Sequence, residues 1–264
     1  MALSHLFTDN LPNSLPKLVM FDLDGTLVDS VPALAAALNQ MLIELGREPA
    51  ALADVCRWVG NGARVLVRRA LAGSMEHRAI SEEQTEPALA RFMASYANAQ
   101  HYSQLYPGVL PTLKWLHKQQ IEMALVSNKP EQFIAPLLDH LKIGRYFRWI
   151  IGGDTLAQCK PDPAALLFVL QMAGVTADEA LFIGDSCNDV RAAHAARVRC
   201  VALSYGYNHG RPIAEENPAL VIDDLRELLP DYSENVFSLA LDNPSATVLP
   251  WLKRLNPFQQ HASP

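Results

Sequence analysis

The chain has 264 residues, half of them hydrophobic and 19% charged, which is enough for one sizeable core with an insert or for two modest domains. A formal charge of −6 argues against a nucleic-acid-binding surface as the main feature, and no run approaches the roughly 18 apolar residues of a membrane span. Cys56, Cys159, Cys187 and Cys200 stand far apart with no C-x-x-C pair, a pattern that suits a reducing cytosol better than a disulfide framework or a zinc site.

Met1 to Lys17 is polar and lacks the basic start and apolar centre of a secretory signal, so residues 1–15 read as a tail and the expected location is the cytoplasm. Leu18-Val19-Met20-Phe21 reads as a short buried strand, ended by a turn at Gly25. Val31 to Leu45 reads as a helix with Asp29 or Ser30 as N-cap and Pro32 in its first turn. From there to about Gln104 only helical patterns appear, chiefly Val65–Leu71, Glu82–Arg91 and Phe92–Ala99. Tyr106-Pro107-Gly108 breaks the chain, and strands then alternate with helices. The strands are Glu122–Val126, Trp149–Ile151, Ala180–Ile183, Cys200–Leu203 and Ala219–Ile222; the helices lie near Glu131–His140, Pro163–Met172 and Asn188–Ala196. Met20, Met123 and Met172 read as core, and the eight histidines show no metal-ligand spacing.

Such alternation predicts an α/β fold: a Rossmann-like parallel sheet with helices on both faces, formed by residues 16–30 and 105–230 and interrupted by an all-helical insertion at 31–104. Residues 231–264 form a C-terminal extension. Its apolar side chains, Trp251 and Phe237 among them, are costly to leave wet, so it is expected to dock along the core.

Asp22-Leu23-Asp24-Gly25-Thr26 follows the first strand. Residues i and i+2 of an extended segment share a face, so Asp22 and Asp24 arrive side by side at the strand's end, where two carboxylates can serve as a divalent-metal site and as a nucleophile with its acid–base partner. A bare D-x-D-G is more often a turn. Here three further polar clusters follow: Ser127-Asn128-Lys129 and Gly184-Asp185-Ser186-Cys187-Asn188-Asp189, each after a strand-like run, and Lys160-Pro161 between them. In order, these four match the signatures of the haloacid dehalogenase-like phosphohydrolases, which the chain resembles over roughly residues 16 to 230. Phe21 to Ser30, Ser127 to Pro130, Lys160 to Pro163 and Tyr205 to Asn208 are most similar to the bacterial members that act on phosphoglycolate.

The resemblance implies a mobile helical cap at 31–104 and a Mg²⁺-dependent phosphatase. Its substrate would be a small phosphomonoester, 2-phosphoglycolate before sugar phosphates or pyrophosphate, with no nucleic-acid or membrane partner; monomer and homodimer both stay open. Asp22 would be the nucleophile, giving an aspartyl-phosphate, and Asp24 the acid and base. Lys160 would neutralise the nucleophile and the phosphoryl group. Asp22, Asp185 and the backbone carbonyl of Asp24 would hold the ion, with Asp189 behind them, although Asp185 also reads as a helix N-cap. Ser127 and Asn128 would bond the phosphoryl oxygens, with Thr26 and Gly25 completing the phosphate loop. In the insertion, Trp58-Val59-Gly60-Asn61-Gly62-Ala63-Arg64 reads as a glycine-flanked turn opening a helix. Arg64 is the candidate partner for a substrate carboxylate, but Arg64 and Arg68, at i and i+4, read equally as a solvated face. A phosphosugar mutase shares the scaffold. A dehalogenase would not need Asp24 or Asp185, and a non-catalytic binding protein would not need Asp22, Asp24 and Lys160 together.

Overall fold

The computed structural model describes residues 15–230 and Leu3. Six strands form one parallel sheet: β1 (Leu18–Phe21), β4 (Glu122–Val126), β5 (Trp149–Ile151), β6 (Ala180–Gly184), β7 (Arg199–Leu203) and β8 (Leu220–Ile222). Their spatial order is β5-β4-β1-β6-β7-β8. In chain order this is a doubly wound sheet that builds outward from β1 in one direction through β4 and β5, then restarts beside β1 with β6. Leu18 to Phe21 pair with Glu122 to Leu125 on one side and with Ala180 to Ile183 on the other. β1 is therefore central and wholly buried, which explains its uninterrupted apolar sequence.

Helices cover both faces. Val19, Phe21, Leu125 and Ile183 pack toward α5 (Val109–Lys118) and α6 (Ile134–His140), whereas Met20, Ala124 and Phe182 pack toward α7 (Ala164–Ala173) and α8 (Cys187–Ala196). The period-2 alternation of β1 thus supplies two hydrophobic layers. α5 carries no expectation from the sequence, because Val109, Leu113 and Leu116, the apolar positions it buries, straddle a proline and are followed directly by a polar run. Met172, read as core, lies on the outer face of α7 and is 54% exposed; Met20 and Met123 are buried as expected.

Between β2 (Val28–Asp29) and β3 (Gln104–Leu105), which pair antiparallel, the chain makes four helices: α1 (Val31–Glu44), α2 (Leu52–Trp58), α3 (Ala63–Ala72) and α4 (Glu82–Ala99). They share a hydrophobic cluster of their own, joined from the sheet region by Phe133 and Tyr207. α4 unites the two segments expected at 82–99 into one helix. A Ser81–Gln84 capping box starts it, and Pro87 is accommodated near its beginning. α1 begins after Ser30 with Pro32 in the first turn, but neither expected cap residue bonds the helix end: Ser30 makes no such bond, and Asp29 accepts from the Tyr207 hydroxyl. The C-terminal extension, expected to dock along the core, lies outside the described residues.

Candidate active site

β1, β4 and β6 end on the same edge of the sheet, and the site is built from the turns that leave them. β1 and β6 are the neighbours at which the winding reverses, where the diverging connections leave a crevice. Asp22 and Asp24 leave β1, Ser127 to Lys129 leave β4, and Asp185 leaves β6; Ser186 and Asn188, which carry no site expectation from the sequence, also reach the crevice. Asp22, Asp24, Ser127, Asn128, Lys129, Lys160 and Asp185 line one cavity, opposite Leu34, Val59, Leu66, Phe92 and Tyr96 of the helical insertion.

At the centre, Lys160 is almost wholly buried, with Nζ 2.8 Å from Asp22 Oδ1 and 2.6 Å from Asp189 Oδ1. Burial alone would lower this ammonium, but the carboxylates of Asp189 and Asp22 outweigh it and hold the lysine charged, above its ordinary range. Asp22 is pushed up to about 7, first by burial, against the pull of Lys160 and with the repulsion of Asp189 and Asp24. Asp185 is raised by burial and then by Asp189 and Asp22. One lysine thus stands among the carboxylates of Asp22, Asp185 and Asp189, and offsets only part of their charge.

Asp22, Asp185 and Asp189 bring carboxylate oxygens within 4.8 Å of one another, an all-oxygen donor set suited to a hard cation. The three are not equivalent. Asp189 Oδ1 takes Lys160, while Oδ2 accepts from the backbone N–H of Asp185 and Ser186 and from the Ser186 hydroxyl. Ser186 and Asp189 form the capping box of α8, so Asp185 is not the N-cap its position also allowed. Asp185 is held by Thr26, whose hydroxyl donates to Oδ1 at 2.6 Å, and by the Tyr207 backbone N–H, which donates to Oδ2 at 2.6 Å. Its carboxylate sits so close to the first turn that a Cβ at Gly25, where φ is +93°, would lie 2.3 Å from Oδ2. Only glycine fits there.

Three residues expected to meet substrate are engaged elsewhere. Thr26 is fully buried and orients Asp185 rather than lining the cavity. The Asn128 amide donates to the carbonyls of Gly60 and Lys160, at 3.0 and 2.8 Å. Arg64 opens α3 as expected, but its guanidinium pairs with Glu82 and Glu86 of α4 at 2.7 and 2.8 Å and lies outside the cavity lining. The Gly60–Gly62 turn does approach the core: the Gly60 carbonyl accepts from Asn128 and from Asn188, both at 3.0 Å.

Lys129, to which sequence reasoning assigned no role, is buried with Nζ 2.9 and 3.1 Å from the two carboxylate oxygens of Asp24. The Tyr96 hydroxyl of α4 touches the same Nζ. Its signal was present in the sequence as the third residue of the Ser127-Asn128-Lys129 cluster, but a lone lysine after a strand carries no direction until its partners are known.

This is a doubly wound α/β protein with an aspartate-rich, lysine-neutralised centre at its switch point. The model of the haloacid dehalogenase-like hydrolases matches residues 19–203, and the chain belongs to that family. It is 68% identical over 216 residues to phosphoglycolate phosphatase 1 of Pseudomonas aeruginosa, covering 82% of this chain and 79% of that protein. It is 62% identical over 235 residues to the phosphoglycolate phosphatase of Pseudomonas putida, covering 89% and 86%. A crystal structure of a predicted phosphoglycolate phosphatase from Haemophilus somnus superposes with a TM-score of 0.77 at 37% identity, covering 81% of this chain and 96% of that one. The chain is accordingly a phosphoric monoester hydrolase acting on a small-molecule phosphoester.

Proposed function

We propose that the protein hydrolyses 2-phosphoglycolate to glycolate and inorganic phosphate, with Mg²⁺, through an aspartyl-phosphate on Asp22. The observation that carries this reading is the Asp22–Lys160–Asp189 arrangement beside Asp24 and Asp185: a nucleophile, an acid–base group and a cation share one cavity. Similarity to the Pseudomonas phosphatases supports the choice of substrate.

Asp22 attacks phosphorus as the bond to the leaving alkoxide breaks, and Lys160 offsets the charge gathering on nucleophile and phosphoryl oxygens. Asp24 gives its proton to the departing oxygen; it then takes one from the water that attacks phosphorus and frees Asp22. Asp189 holds Lys160 in place, and Thr26 and the Tyr207 N–H aim Asp185. Ser127 faces the phosphoryl group, and Asn128 fixes the Lys160 backbone. The donor set fits Mg²⁺, with Asp22, Asp185 and the Asp24 carbonyl as ligands, since Asp189 is filled by its own bonds. When bound, the ion supplies the positive charge that the carboxylates demand and orients a phosphoryl oxygen.

Residues 31–104 act as a cap over the core of 16–30 and 105–230. The Gly60 carbonyl, held by two core asparagines, is the contact at which the cap opens and closes. The setting is the cytoplasm; among the described residues no helix is long and apolar enough to cross a membrane. A phosphatase screen over small phosphoesters, with and without Mg²⁺, tests the reading. Release of phosphate from 2-phosphoglycolate should stand well above that from sugar phosphates and should vanish in a chelator. Preference for a sugar phosphate would overturn it.

A further inference from the structure

We propose that Lys129 is the specificity-determining residue of this site: with the Tyr96 hydroxyl, it binds the carboxylate of the leaving group, the role that sequence reasoning offered to Arg64. The proposal rests on the 2-phosphoglycolate reading and says which side chain enforces it.

The cavity is lined by two cationic side chains among the described residues, Lys160 and Lys129. Lys160 belongs to the phosphoryl end, locked between Asp22 and Asp189. The arginines of α3 are turned away: Arg64 to Glu82 and Glu86, Arg68 to Glu82 and the Ile80 carbonyl, Arg69 to the Trp58 carbonyl. Lys129 alone faces the leaving-group end. Its Nζ bonds both oxygens of Asp24, the group that protonates the departing oxygen. A proton donor must stand at hydrogen-bond distance from that oxygen. In 2-phosphoglycolate the carboxyl carbon is two bonds from the same oxygen, so a substrate seated on Asp24 brings its carboxylate within reach of Nζ. An ammonium has three protons to donate: one shared by the two oxygens of Asp24 and one given to the Tyr96 hydroxyl leave the third for the second carboxylate, to which Tyr96, accepting from Nζ, donates its own.

The walls give the complementary half of the reasoning. Beyond Tyr96, the side chains that the insertion turns to the cavity are those of Leu34, Val59, Ala63, Leu66 and Phe92, which offer a leaving group no hydrogen bonds, while Gly60 and Gly62 present only backbone there. A sugar would bring several hydroxyls to these side chains unpaired, which is unfavourable. A two-carbon acid has one polar group, and Lys129 meets it. Tyr96 stacks on Phe92 with ring centroids 5.6 Å apart and meets Phe133 edge-on at 5.0 Å, so its hydroxyl is held against Nζ. Because Tyr96 belongs to α4 and Lys129 to the core, the carboxylate pocket is complete only when the insertion is seated.

The test compares 2-phosphoglycolate with its carboxamide, 2-phosphoglycolamide, on the full chain with Mg²⁺. The two substrates share size and ester and differ in charge. The wild type should favour the carboxylate in kcat/KM by about 10- to 100-fold, the range of a charge-assisted bond, mainly through KM. Lys129→Met should lower turnover of both, since Asp24 loses its partner, and should bring their ratio close to one. If that variant does not fold, Lys129→Gln takes its place in the same comparison. A ratio kept at the wild-type value would overturn the assignment, leaving Lys129 as a partner of Asp24 alone. Failure of the wild type to hydrolyse 2-phosphoglycolate while it hydrolyses 4-nitrophenyl phosphate would instead overturn the substrate reading, and this assignment with it.

Discussion

Replacing Lys160 by methionine, nearly the same shape without the charge, tests the electrostatics of the centre most directly. The ammonium lies within 2.8 Å of Asp22 and 2.6 Å of Asp189, and it is 3% exposed. Removing one partner from a buried ionic group leaves uncompensated charge and costs about 3–5 kcal/mol. For a domain of this size, 1 kcal/mol moves Tm by roughly 2–4 °C, so the variant should melt roughly 6–20 °C below the wild type in metal-free buffer at pH 8. The loss should be smaller at pH 6. Asp22 is already pushed up to about 7 by burial with Lys160 pulling it down. Without that pull it takes up a proton more readily, which relieves the repulsion. Thermal unfolding by fluorescence at the two pH values measures both effects, and turnover should be lost at either. A Tm within 2 °C of wild type at pH 8 would refute the reasoning, because it would mean that the carboxylates are not held in check by the lysine.

Asp22→Asn should abolish turnover, the amide being unable to attack phosphorus, and mass spectrometry should show that the aspartyl-phosphate formed by the wild type is absent. The same variant carries a stability signature. The folded pKa of Asp22 lies above its unfolded value of 3.8, so the folded wild type binds the extra proton between about pH 4 and 7 and loses stability as pH rises through that window. The Tm advantage of metal-free Asp22→Asn over wild type should therefore grow from pH 5 to pH 8; a constant difference would contradict the raised pKa. Mg²⁺ should raise the wild-type Tm at pH 8, and it should do so far less in Asp185→Asn, as read by the same melts. Arg64→Ala should change kcat/KM for 2-phosphoglycolate by less than about threefold, because it removes exposed pairs with Glu82 and Glu86 of the kind that contribute about 0–1 kcal/mol.

The parallel sheet was legible because a strand buried on both faces has an unmistakable composition. Leu18 to Phe21, Glu122 to Val126 and Ala180 to Ile183 are short apolar runs, each followed at once by Asp, Ser or Gly. Their order in space was not written in any local pattern: that β1 lies between β4 and β6 follows from pairing over more than a hundred residues. The elements that were missed or mistaken have local causes. α5 hides its buried positions around Pro111, and Met172 reads as core by type although the outer face of α7 is open to solvent. β2 and β3 are two residues long, below what periodicity can register.

At the site, it was the four motifs taken together, and the family resemblance they carry, that singled out Asp22, Asp24, Lys160 and Asp185, which the structure brings to one cavity. Residue type was not enough to say where a side chain points. Thr26 looks like a phosphate ligand and instead aims Asp185; Asn128 looks like another and instead ties Gly60 to the Lys160 carbonyl. Arg64, expected at the substrate, and Lys129, of which nothing was expected, find their partners for the same reason. A long cation pairs with the nearest carboxylates, which for Arg64 are Glu82 and Glu86 on a neighbouring helix and for Lys129 are the oxygens of Asp24. Glu82 and Glu86 share a face of α4 at i and i+4, and on that helix Tyr96 lies ten residues beyond Glu86, nearly three turns on. One helix thus draws the α3 arginine away from the cavity near its beginning and closes on the core lysine near its end.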